Sequence, residues 1–108
     1  MTQAAAARGP LDGPTGRVIA AQLDLVRSVL NKHGMTNPEL FGSVARGDDQ
    51  PGSDVDILVD FPKGVSLFGI AKAQAELEGI LGAPVDLVPR SSLKPLIRDH
   101  IQADLIPL

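Results

Sequence analysis

The apolar residues of this chain follow two rhythms. Across residues 17–33, Val18, Ile19, Leu23, Val26, Val29 and Leu30 recur every three or four positions, a spacing that lines one face of an α-helix, and Gly34 supplies a stop. The rhythm returns across residues 66–81 as Leu67, Ile70, Ala73, Leu77, Ile80 and Leu81, with Ser66 placed to cap the start and Gly82 to end the helix. Between these helices the apolar residues crowd together. Residues 54–61, with Val55, Ile57, Leu58 and Val59, read as a strand, and residues 39–43 as a shorter strand that should pair with it. The polar stretch 44–53, with Gly47, Pro51 and Gly52, is the loop between them. Residues 84–89 form a third strand bounded by Pro84 and Pro89. A last helix runs over residues 93–103, capped by Ser91 or Ser92, with Pro95 in its first turn, where a missing N–H does no harm. Residues 1–16, rich in Ala, Gly and Pro with no apolar period, are expected to be a disordered arm, leaving 17–108 as the folded domain. The order of elements predicts an α/β (α+β) domain: a small mixed sheet of three or four strands, with helices packed mainly on one face.

Candidate chemistry concentrates around the strand 54–61. Phe41-Gly42-Ser43-Val44-Ala45-Arg46-Gly47 offers a small-residue turn whose backbone N–H groups can face an anion, with an arginine nearby. Asp54 and Asp56 lie two apart on a strand, so both carboxylates point to one face, roughly 6.5–7 Å apart along the chain. Hard oxygen ligands in that arrangement suit magnesium shared with substrate phosphates. Together the two halves read as a triphosphate cradle joined to a metal-binding carboxylate pair. Ser53 either contacts phosphate or ends the loop. Arg46, permanently charged and fork-shaped, is the candidate phosphate clamp.

The extended pattern Gly42-Ser43-x-Ala45-Arg46-Gly47, five residues, then Ser53-Asp54-x-Asp56, resembles the DNA polymerase β-like nucleotidyltransferase superfamily. Within it the segment is most similar to the minimal nucleotidyltransferases, small proteins commonly encoded beside a HEPN-domain ribonuclease toxin. Strict resemblance covers residues 41–60, and the order of elements extends it loosely to about residue 106. The resemblance implies a third carboxylate on the following strand, where Asp86 is the only acid. It also implies two magnesium ions held by Asp54, Asp56 and Asp86, ATP as nucleotide donor on Gly42, Ser43, Arg46 and Ser53, and transfer of AMP to a hydroxyl of a HEPN toxin. The chain would then be the antitoxin, in a possible hetero-oligomer with the toxin.

Composition narrows these expectations. A chain of 108 residues fits one domain, with no room for a separate acceptor-binding unit. A net charge of −3 speaks against direct nucleic-acid binding, because such affinity comes from Lys and Arg neutralising phosphates. With no cysteine there is neither a disulfide framework nor a thiolate zinc site. The first ten residues fit neither a secretory signal nor a membrane span, so a cytoplasmic location is expected. With no tyrosine, self-modification on a phenol is impossible. His33 and His100 read as structural or exposed, and Lys63, Lys72, Lys94, Arg90 and Arg98 as solvated charges. Two other functions stay open. One is transfer to a small acceptor of the aminoglycoside type, which usually needs a larger acceptor domain. The other is a non-catalytic antitoxin acting by contact, against which the clustered carboxylates speak, because like charges without a cation cost stability. The apolar positions of the last helix and Ile106-Pro107-Leu108 fit either a sheet cover or a partner interface.

Overall fold

The computed structural model describes residues 9–108. The first apolar stripe becomes two helices, α1 (Pro14–Ala21) and α2 (Leu23–Lys32), instead of one. Proline is favoured in the first helical turn, where its fixed φ is already helical, and α1 opens on Pro14, ahead of the expected Arg17. The chain bends at Gln22 (φ −110°, ψ 20°), whose N–H still bonds Val18 and Ile19 carbonyls. Ile19, Val26 and Leu30 are buried, whereas Val18, counted in the stripe, faces outward. Of the arm expected over residues 1–16, residues 1–8 lie outside the described part, while residues 14–16 belong to α1 and Thr15 is buried.

The strand β1 (Thr36–Phe41) is longer than expected and ends one residue before Gly42, which opens a short helix, α3 (Gly42–Arg46). Thus Gly42 and Ser43 begin a helical turn instead of closing a strand, and the first residues of the expected loop are helical. The chain continues as β2 (Val55–Asp60), α4 (Leu67–Leu81) and β3 (Val85–Pro89). Ser66 caps α4 as expected, its Oγ accepting the Gly69 N–H at 3.0 Å. A 3-10 turn (Arg90–Ser92), α5 (Pro95–Ile101), a second 3-10 turn (Gln102–Asp104) and β4 (Ile106–Pro107) complete the chain. The last helix is therefore shorter than expected, and the C-terminal Ile106-Pro107 joins the sheet, with Leu108 N–H bonding Pro38 O at 2.9 Å.

The sheet order is β3-β2-β1-β4. The β1 strand runs antiparallel to β2 and β4, and β2 runs parallel to β3. A parallel pair needs a crossover, and α4 provides it. Alternation along the strands separates two faces. Leu40, Val55, Ile57, Val59, Val85 and Leu87 point into a core shared with Ile19, Val26, Leu30, Ala73 and Leu77. Fully burying one such large side chain contributes about 1.5–3 kcal/mol relative to leaving it in water. Asp56, Leu58 and Asp60 alternate onto the opposite face. Leu58 is buried yet outside the main core cluster, and it borders a cavity of about 400 Å³ whose lining includes Arg98, Gln102 and Leu105. Among the described residues no helix is long and apolar enough to cross a membrane.

Candidate active site

The register of the sheet brings the motif halves together. Phe41, the last residue of β1, sits opposite Asp56, so the Gly42-Ser43 turn that follows lies over that carboxylate. Asp56 is in turn aligned with Asp86 on the neighbouring parallel strand, at the usual spacing of about 4.8 Å between strands. Asp54 stands exposed just before β2. Gly42 has φ +81°, and a Cβ there would fall 2.8 Å from Asp56 Oδ2, so glycine is required both for the backbone and for the close approach.

The electrostatics single out Asp56. Half-buried, it is pushed up to about 6, first by desolvation and then by the charges of Asp86 and Asp54. No salt bridge to Lys, Arg or His offsets any of these three acids among the described residues. A bound cation would supply the missing counter-charge, and oxygen-only donors fit a hard divalent ion. Among the described residues no group of three His, Cys, Asp or Glu side chains forms a set that could hold a metal ion by itself. A magnesium ion that keeps waters and takes one or two carboxylates together with substrate phosphates needs no such closed set. Asp56, with Asp54 and Asp86 alongside, thus leaves uncompensated negative charge at an open edge without forming a closed metal set.

The remaining expected residues have partners. Arg46 is exposed, its Nε 3.0 Å from Asp48 Oδ2 and its Nη1 3.1 Å from Asp104 Oδ2, pairs that tie α3 to the C-terminal 3-10 turn. Ser53 Oγ accepts the Gln50 N–H at 2.8 Å while its own N–H donates to Gln50 O at 2.9 Å, which closes the loop before Asp54. His33 contacts Glu76 Oε1 at 3.0 Å, far in sequence from the motif and in keeping with a structural role.

Arg90 corrects the expectation of a solvated charge. Its guanidinium bonds Asp60 Oδ1 at 2.8 Å, Glu39 Oε1 at 2.7 Å and the Asn37 carbonyl at 2.7 Å. Asn37 also donates to Asp60 at 2.8 Å. A cleft of about 610 Å³ opens there, lined by Asn37, Glu39, Asp60, Arg90 and Leu108, at the far ends of β1 and β2 from Gly42 and Asp56. The cleft and the carboxylate edge are thus separate features. The position of Arg90 just beyond Asp86 set it apart in the sequence, but its partners, like that of Asp104, stand 30 to 58 positions away and could not be read locally.

A mixed four-stranded sheet whose edge joins a Gly-Ser turn to strand carboxylates defines the class, a small nucleotidyltransferase fold. The chain belongs to the family of the nucleotidyltransferase domain, whose model matches residues 25–108. A Methanocaldococcus jannaschii relative bearing the name of a protein adenylyltransferase is 42% identical over 73 residues, 68% of this chain and 78% of its own length. The protein adenylyltransferase MntA of Thermococcus cleftensis is 37% identical over 92 residues, 78% of this chain and 93% of its own. A solved structure described as a minimal nucleotidyltransferase aligns with TM-score 0.74 at 38% identity, covering 85% of this chain and 94% of that one. A toxin–antitoxin structure with AMP-PNP aligns with TM-score 0.66 at 21% identity over 78% of this chain and 69% of that one, a likeness of fold.

Proposed function

We propose that this chain is a metal-dependent nucleotidyltransferase that moves AMP from ATP to a hydroxyl of a partner toxin of the HEPN type, and so serves as the antitoxin of a cytoplasmic pair. The observation that carries the reading is Asp56: a half-buried carboxyl group set between Asp54 and Asp86 with no opposing charge among the described residues, directly under the Gly42-Ser43 turn. The relatives named as protein adenylyltransferases support a protein acceptor, and the motif's resemblance supports the HEPN partner.

In the reaction the acceptor hydroxyl oxygen forms a bond to the α-phosphorus while the bond to the bridging α–β oxygen breaks, pyrophosphate leaves, and the hydroxyl proton is released to solvent. Asp54, Asp56 and Asp86 would hold magnesium, which when bound would supply Lewis acidity toward the hydroxyl and the leaving phosphates. The N–H groups of Gly42 and Ser43 hold the terminal phosphates, a fixed set of donors that needs no reorganisation as charge moves. Arg46, paired with Asp48 and Asp104, would have to release one of these acids to clamp a phosphate oxygen. The carboxylate edge is open, and an open edge suits an acceptor presented by another protein.

Transfer of α-phosphate label from ATP with magnesium, onto the neighbouring gene product and onto a panel of small hydroxyl acceptors, tests the reading. Label on the partner, lost in Asp54→Ala/Asp56→Ala, supports it. Label on small molecules alone replaces the protein acceptor with a small one. Absence of transfer together with partner binding that survives the double substitution would make the chain a contact antitoxin.

A further inference from the structure

The loop between the Gly42-Ser43 turn and Asp54 is fastened by a segment that precedes the matched family region, which begins at residue 25. Asp49, 1% exposed, accepts the Thr15 N–H through Oδ2 at 2.7 Å, in the first turn of α1. Its Oδ1 is buried with no hydrogen-bond partner among the described residues. That oxygen occupies the space beside Gly13, where a Cβ would fall 1.8 Å from it. Close by, a Cβ at Gly47 would fall 2.3 Å from the Gly9 carbonyl oxygen. The same loop is tied to the site at both ends: Asp48 N–H donates to Ser43 O at 2.9 Å, and the Gln50–Ser53 turn sets up Asp54.

A buried carboxyl group with one oxygen unsatisfied costs stability compared with an apolar side chain of the same size. What Asp49 supplies instead is a fixed point for the loop. We infer that Asp49 is a positioning residue for nucleotidyl transfer, through which residues 9–16 clamp the loop 47–53 and so set Gly42 and Ser43 against Asp54 and Asp56. The inference rests on the function proposed above. It turns residues 9–16 from part of an expected arm into a support of the site.

The test compares Asp49→Ala, Asp49→Asn and Gly13→Ala in the full chain by thermal unfolding, label transfer and amide NMR of residues 42–56. In folded Asp49→Ala, kcat falls roughly 10- to 100-fold and by more than KM for ATP rises, because a displacement on the order of 1 Å at reacting groups costs that much. Asp49→Asn keeps an acceptor for the Thr15 N–H and returns kcat to within about threefold of the unsubstituted chain. Gly13→Ala, which pushes on Oδ1, lowers kcat alone but adds nothing in the Asp49→Ala background, as expected of two changes acting through one contact. A folded Asp49→Ala with unchanged kcat overturns the inference, and so does Asp49→Asn no better than Asp49→Ala. If Asp49→Ala does not fold, Gly13→Ala decides, and unchanged kcat in it is the overturning result. If the unsubstituted chain transfers nothing, the proposed function fails by itself and the amide signals decide the clamp. Shifts in Asp49→Ala that reach Gly42, Ser43 and Asp54 support it, and shifts confined to residues 13–16 and 47–50 overturn it.

Discussion

Asp56 and Asp60 sit on the same strand and the same sheet face, about 13 Å apart along β2, yet their surroundings are opposite. Asp60 carries its own compensation: the Asn37 amide and then the Arg90 guanidinium hold its carboxyl below the usual carboxylate range. Asp56 has no such partner among the described residues, and burial with Asp86 and Asp54 alongside pushes it up to about 6. One end of the strand is a closed ion-pair cluster, and the other carries a carboxyl group without a counter-charge among the described residues. Under the proposed function, a cation brought with the substrate would fill that position.

The contrast breaks most sharply in activity. Asp56→Asn is expected to lower label transfer by about 1,000-fold or more, since it removes a ligand to the group that stabilises the leaving charge, while Arg90→Ala retains transfer at a temperature where it is folded. A smaller loss, roughly 10- to 100-fold, is expected for Gly42→Ala, whose Cβ would displace the Asp56 carboxylate. Gly64→Ala is the control: φ there is +76° with nothing within 4 Å, so backbone strain appears in thermal unfolding but transfer does not change. Arg90→Ala should in turn lower the melting temperature by about 5 °C, as Glu39 and Asp60 lose their shared partner.

The smallest effect is in pH dependence. Asp56 titrates higher folded than unfolded, so its contribution favours the fold at low pH and is lost as pH rises from about 4 through about 6. The shift of about two pH units would be worth up to about 3 kcal/mol, which exposure of the half-buried group reduces to about 1 kcal/mol. Asp60, depressed by its partners, works the other way: its contribution is present above the unfolded value near 3.8 and lost as pH falls through the folded one. Unfolding curves in a chelator should therefore lose stability between about pH 4 and 6 in the unsubstituted chain, and Asp56→Asn should remove that loss.

Much of this was legible from the chain. The apolar periods marked α4, β2 and β3 within a residue or two, because packing requires those patterns whatever the topology. The motif spacing placed Asp56 on the strand, whereas Asp54, expected on the same strand, stands just before it. What escaped depended on distance along the chain. The bend at Gln22 leaves the apolar period intact, so one stripe hid two helices. Gly42 closing on Asp56 is a register effect of β1 against β2, and Asp49, Arg90 and Asp104 acquire their roles only from residues far away in sequence. An acid in a polar loop looks solvated until a helix from elsewhere covers it.

The most direct measurement is calorimetric binding of magnesium in the presence of an ATP analogue whose α–β bridge cannot be cleaved, compared between the unsubstituted chain, Asp56→Asn and Arg90→Ala. The account predicts nucleotide-dependent magnesium binding that is lost in Asp56→Asn and kept in Arg90→Ala. Equal magnesium binding by Asp56→Asn and the unsubstituted chain would contradict it.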